Sequence, residues 1–177
     1  MKCTLVTKFF FFLLTGVVLT ARIGAVEAAI TPISLAQQAE MIAKDQRLVG
    51  NVGAQAKREG VITNTPELFI YYRDFSPAYH LSGYRETLPR ELDLIVSNHR
   101  IERSMVRLDR LLERTFDANG AVPTLTDLPA AALYAVIYQD SDCVGCRQVQ
   151  EALSTWAMAQ PFNLVLISVD VDLSLNR

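Results

Sequence analysis

Cys143 and Cys146 are separated only by Val144-Gly145, and they stand where an apolar run gives way to a helical pattern. Two thiols at this spacing can close a disulfide reversibly. A helix start offers unpaired N–H groups and partial positive charge, both of which stabilise a thiolate. The thiolate is the form that attacks another disulfide, so this placement points to thiol–disulfide exchange through a mixed disulfide. Such exchange needs no metal and no organic cofactor. It needs protein thiols or disulfides as substrates and a redox partner that resets the pair.

The same cysteines admit two other chemistries. A zinc site requires four ligands, and only His80 and His99 could add to the two thiols, without finger-type spacing. An inert structural disulfide is the other reading, although so short a loop gains little from closure entropy. Asp142 is placed to cap the helix that follows Cys143, and its charge would oppose a thiolate. Asp140 precedes it. Arg147 could favour the thiolate but is expected to point to solvent.

The elements around the cysteines follow from hydrophobic patterning. Leu133–Tyr138 and Leu164–Val171 are short apolar runs rich in β-branched and aromatic residues, as buried strands are. Between them, Arg147–Ala159 carries Val149, Leu153 and Trp156 at helical spacing, so these three read as core. Strand, helix and strand make a β-α-β unit, for which parallel pairing is expected.

The N-terminus reads as a secretory signal over residues 1–28. Lys2 and Lys8 precede the apolar run Phe9–Ala21, which has signal-peptide length and is short for a membrane span. Val26-Glu27-Ala28 sets cleavage after Ala28; left uncleaved, the segment would be the chain's membrane contact. Cleavage removes Cys3 and leaves Cys143 and Cys146 as the thiols of a periplasmic protein, in a compartment that permits disulfides. With 177 residues, half of them hydrophobic, and a net charge of −2, the chain is globular and its balance argues against nucleic acid as a partner.

Residues 29–120 read as helical. Ser34 caps a helix running to about Val49, with Leu35, Ala39, Ile42 and Val49 on one face. Thr65-Pro66 resembles an N-cap with proline at the first helical position before the run Glu67–Arg73. Residues 74–86 read as a loop. A long helix should then start at Thr87-Leu88-Pro89 and end near Phe116, burying Leu94, Ile101, Met105, Leu108 and Leu112. Its stripe of Arg100, Arg103, Arg107, Arg110 and Arg114, diluted by Glu102, Asp109 and Glu113, reads as a solvated face. Residues 121–132 hold two prolines and read as a linker to the segment 133–177. The fold class expected is α+β or α/β.

Residues 133–172 resemble the first half of a thioredoxin catalytic domain: strand, acidic-aromatic link, Cys-X-X-Cys at a helix start, amphipathic helix, and a second strand ending in Val-Asp. The resemblance implies that Cys143 attacks and Cys146, buried, resolves. That family continues with a cis-proline, a further strand, a hairpin and a closing helix. No proline follows Pro161, so the substrate-docking proline is expected to be missing. The β-α-β unit would then be partial, with exposed edges, as in a truncated product. Signal, helical region and thioredoxin-like segment together are also similar in layout to accessory proteins of bacterial conjugative transfer and integrating elements. The function implied is periplasmic thiol–disulfide exchange on envelope proteins, as oxidoreductase or isomerase. The competing reading is a non-enzymatic envelope scaffold of a conjugative apparatus, with a vestigial redox segment and the arginine-striped helix as its partner surface.

Overall fold

The computed structural model describes residues 29–38, 62 and 65–171. The signal segment, and most of the stretch expected to form the first helix, lie outside these residues. The described chain is mixed α+β, built on one six-stranded sheet of order β3-β2-β5-β6-β1-β4. Its strands are β1 (Ile30–Gln37), β2 (Glu67–Tyr72), β3 (Pro77–Ser82), β4 (Thr115–Phe116), β5 (Leu133–Gln139) and β6 (Leu164–Asp170). The helices are α1 (Leu88–Ser97), α2 (Leu108–Leu112) and α3 (Val144–Met158).

The β5-α3-β6 unit forms where the sequence places it. β5 and β6 pair in parallel, Leu133 opposite Leu164 through Gln139 opposite Asp170. Both strands are almost wholly buried, which explains their continuous apolar runs.

Among the described residues, much of the stretch read as helical is strand. Ser34 lies inside β1, which pairs in parallel with β6, Ile30 opposite Leu164 through Ala36 opposite Asp170. Thr65-Pro66 opens a strand rather than a helix. Pro66 stands just before the first residue of β2, a position that loses no ladder bond to the missing N–H. The expected loop over 74–86 contains β3, which pairs antiparallel with β2, Glu67 opposite Ser82 and Phe69 opposite His80. β2 also pairs antiparallel with β5, Glu67 opposite Tyr138 through Tyr72 opposite Leu133. The outer edges of β5 and β6 are therefore occupied by β2 and β1. The open edges that would mark a truncated unit are filled by upstream chain.

The long helix expected from Leu88 to Phe116 is broken in two. α1 stops at Ser97, where the Asn98 side-chain amide donates to Leu94 O at 2.7 Å and His99 turns left-handed at φ 45°. Such a residue just past a helix end is a recognised way to satisfy its last carbonyls. Leu94 and Ile101 consequently face outward, 54% and 46% exposed, while Met105, Leu108 and Leu112 are buried as expected.

The sheet carries a core on each face. On one, α1 (Leu88, Leu92, Ile95) and α3 (Val149, Leu153, Trp156) cover Leu68, Ile70, Ala135 and Ile137. Trp156 Nε1 donates to Asp93 Oδ1 at 2.7 Å and ties the two helices together. On the other face, Met105, Val106 and α2 cover Phe69, Tyr71, Val136, Tyr138 and Ile167. Residues 121–132 carry a short 3₁₀ turn at Leu125–Asp127 and lead from β4 to β5 within the same sheet.

Candidate functional site

β5 delivers the chain to the cysteines through a short, tied link. Asp140 organises it: its carbonyl accepts from Cys143 N–H at 3.2 Å, and its Oδ1 accepts from Asp142 N–H at 2.8 Å. Thr65 Oγ1 donates to the other carboxylate oxygen at 3.4 Å, joining the link to the residue before Pro66. Asp142 is not the helix cap; it is exposed, and its neighbour takes that position. Cys143 is the N-cap of α3, in an extended conformation, and its Sγ accepts from Cys146 N–H at 3.1 Å. Sulfur thus satisfies one of the orphan donors of the first turn. Helix α3 begins at Val144, three residues ahead of the expected Arg147.

Cys143 and Cys146 are joined, Sγ to Sγ at 1.98 Å. Their surroundings differ sharply. Cys146 is 4% exposed, with its sulfur 3.9 Å from Tyr138 O on β5. Cys143 is half-buried, and Val144 beside it is 70% exposed. The pair therefore has a partly exposed member at the helix mouth and a shielded member one turn in.

A second segment closes against this turn. Thr65 and Pro66 are joined by a cis peptide bond. The Pro66 ring packs on Gly145, between the cysteines, so closely that a Cβ at Gly145 would stand 3.2 Å from Pro66 Cδ. Pro66 O accepts from Gly83 N–H at 2.8 Å, where Gly83 adopts φ 78° in the turn after β3. That turn carries Tyr84, whose Cβ would be 3.8 Å from a Cβ at Gly145. The pairing of β2 with β5 thus brings a cis proline from far upstream against the turn between the cysteines.

Next to Pro66, Glu67 is buried at 5% exposure. His80 Nε2 lies 2.5 Å from Glu67 Oε2, and Ser82 Oγ donates to Glu67 Oε1 at 2.9 Å. The His80 ring stacks on Phe69 at 4.6 Å between centroids. Sequence reasoning takes Pro66 and Glu67 only as a helix start and does not connect either to the cysteines. The one available signal was the alternation of His80 and Ser82, which puts both on one face of a strand.

The other expected participants fall elsewhere. His99 stacks on Tyr72 at the far end of the sheet, so the two histidines do not converge on the cysteines. Among the described residues no group of three or more potential ligands could hold a metal ion. Arg147 is exposed. The arginine stripe is not one helix face: Arg100 lies beyond α1, Arg107 caps α2 and pairs with Asp109 at 2.6 Å, and Arg110 pairs with Glu113 at 2.8 Å. No described helix is long and apolar enough to cross a membrane.

What the arrangement can do chemically is open and close one disulfide at a partly accessible sulfur. No family model matches the chain, and neither a curated protein nor a solved structure matches it.

Proposed function

We propose that this chain is a periplasmic thiol–disulfide exchange protein acting on envelope proteins, with Cys143 as nucleophile and Cys146 as resolving thiol. The observation that carries the reading is the asymmetry of the pair: a half-buried Cys143 capping α3, joined to a buried Cys146, with Pro66 packed on the residue between them. In the reduced protein the Cys143 thiolate attacks one sulfur of a substrate disulfide and expels the other as a thiolate. Cys146 loses its proton and attacks Cys143, releasing the second substrate thiol and regenerating Cys143–Cys146. Two electrons pass to the substrate, and a dithiol partner must return them. Run backward, the same steps oxidise a substrate dithiol.

The resemblance to thioredoxin gains support from the order of strands in space. The parallel β5-α3-β6 unit meets a proline, a strand, a hairpin partner and a helix on the same face, as Pro66, β2, β3 and α1. These are the pieces that the family carries after its β-α-β unit; here they precede it in the chain. The reading is therefore a thioredoxin-like unit in permuted order. The long arginine-striped helix that the scaffold reading used as its partner surface is broken after Ser97. A place in a conjugative element rests on chain layout alone.

The test is reduction of insulin by dithiothreitol with the full protein and with Cys143→Ser, together with trapping by Cys146→Ala. Catalysis lost in Cys143→Ser, and a mixed disulfide accumulating on Cys146→Ala, support the assignment. In the reduced wild-type protein, alkylation at neutral pH should label Cys143 first. Equal rates with and without Cys143, or preferential labelling of Cys146, would overturn it.

A further inference from the structure

The end of the sheet away from the cysteines holds a pocket of about 540 Å³. That volume lies in the range of small-molecule sites, about 300–1,000 Å³. Its walls are mainly apolar: Tyr72, Val96, Leu133 and Phe162. The Tyr72 hydroxyl lies 2.9 Å from both Ile95 O and Arg100 O, so its single proton is shared between the two carbonyls and anchors that end of the ring. His99 covers it, stacked at 4.3 Å between centroids. The imidazole is aimed there by the left-handed backbone of His99, a conformation that a non-glycine residue adopts at a cost and that recurs at binding sites. The neighbouring bonds hold it: His99 N–H donates to Val96 O, and Arg100 N–H to Ile95 O.

The rim adds opposite charges side by side, from Arg73 and Asp74, both exposed and both lining the pocket. Ser76 donates to Asp74 through its N–H at 3.0 Å and its hydroxyl at 2.6 Å, and both bonds fall on Oδ1. The carboxylate is thus oriented at the rim. The Arg73 guanidinium offers a donor fork suited to a carboxylate. An apolar interior lined by aromatic rings, with a cation and an anion at its rim, matches a ligand with an aromatic ring and an adjacent ammonium and carboxylate.

We infer that this pocket binds a free aromatic amino acid, with its ring among Leu133, Phe162 and the stacked Tyr72–His99 pair, its carboxylate on Arg73 and its ammonium on Asp74. This site is separate from the cysteines: Leu133 begins β5 and Gln139 ends it, a strand length of roughly 20 Å at about 3.3 Å per residue. The inference does not rest on the redox reading.

The test is an amide-resolved NMR titration of the full protein, disulfide closed, with four probes. L-tryptophan carries both charges, indole-3-propionate only the carboxylate, tryptamine only the ammonium, and N-acetyl-tryptophanamide neither. Tryptophan should shift the Tyr72, His99, Leu133 and Phe162 amides saturably. It should bind about tenfold or more tighter than N-acetyl-tryptophanamide, the scale of one charge-assisted hydrogen bond. Arg73→Gln should weaken tryptophan and indole-3-propionate about tenfold and spare tryptamine; Asp74→Asn should weaken tryptophan and tryptamine and spare indole-3-propionate. Both substitutions are at exposed positions, so an unchanged spectrum elsewhere verifies the fold. The proposal is overturned if no saturable shift appears at those amides by about 10 mM tryptophan. Equal binding of the uncharged analogue, indifference to both substitutions, or shifts centred on Cys143 would overturn it as well.

Discussion

Pro66 Cδ lies 3.2 Å from the point where a Cβ on Gly145 would stand. The contact joins the start of β2 to the turn between the cysteines, segments far apart in the chain. Neither side yields easily: the proline is a ring, and its carbonyl is held by Gly83 N–H.

Gly145→Val should therefore destabilise the protein. A larger side chain in the first turn gains a little helix propensity, at most about 1 kcal/mol. Forcing a branched side chain against a fixed ring costs about 1–3 kcal/mol, and β-branching in a helix returns part of the propensity gain. The expected loss is about 2 kcal/mol, with Gly145→Ala losing less, measured by urea unfolding of the oxidised protein. A stability equal to or above wild type for the valine variant would mean that the two segments separate freely in solution.

How much of this was legible in sequence depends on the range of the interactions. The β5-α3-β6 unit was, because its strands are buried on both faces and its helix has one apolar stripe, signals that reside within each segment. The strand β2 was not. Phe69-Ile70-Tyr71-Tyr72 is buried throughout, so it shows no alternation, and a proline before it reads as readily as a helix start. β1 was hidden by Leu35, Ala39 and Ile42, whose spacing fits a helix, whereas pairing with β6 decides the outcome. The site was half legible. Cys143 and Cys146 declare themselves by spacing, but Pro66 and Glu67 reach the site through the register of β2 against β5, which no local pattern encodes.

Glu67, buried and bonded to His80 and Ser82, should behave as a coupled unit with His80. Glu67→Ala leaves two polar side chains without their acceptor and is expected to cost about 2 kcal/mol. The His80 side chain keeps 17% of its surface in water, which holds the cost below that of a fully enclosed pair. Glu67→Gln, which keeps the shape and one acceptor, should cost less. In a double-mutant cycle with His80→Ala the two changes should be non-additive by more than about 0.5 kcal/mol. Additive losses would show that the contact contributes nothing to stability.

Acid stability should depend on Glu91 at the start of α1. The Thr87 hydroxyl first, and the Tyr79 hydroxyl second, hold its carboxyl below its ordinary value of 4.5. Both are donors to the ionised form, so the folded state binds this proton less readily than the unfolded chain does. The stabilisation is then present above the unfolded value and lost as pH falls through the lower folded one. Glu91→Gln should flatten the decline in melting temperature below pH 4.5, with little change in slope near neutrality. An unaltered acid limb in that variant would assign the decline to other carboxylates, such as Asp74, Asp117 and Asp127, which are lowered in the same direction.

The pairing of β5 and β6 with upstream strands sets the last expectation. A fragment of residues 133–171 retains one helix and two parallel strands, and it loses β2 from one edge and β1 from the other. It also loses α1 from one face and Val106, Leu108 and Leu111 from the other. At about 40 residues its own core is too small to offset chain entropy, and two bare apolar edges invite association. Fragment 133–171 should therefore show no cooperative thermal transition and should sediment as aggregates. Residues 29–120 alone should not give the strongly helical circular dichroism that their periodicity suggests, because their described residues contribute four strands to the shared sheet. A soluble monomeric 133–171 with a sharp melt would show that the β-α-β unit stands without β1 and β2, and that Pro66 is an addition to the site rather than part of its frame.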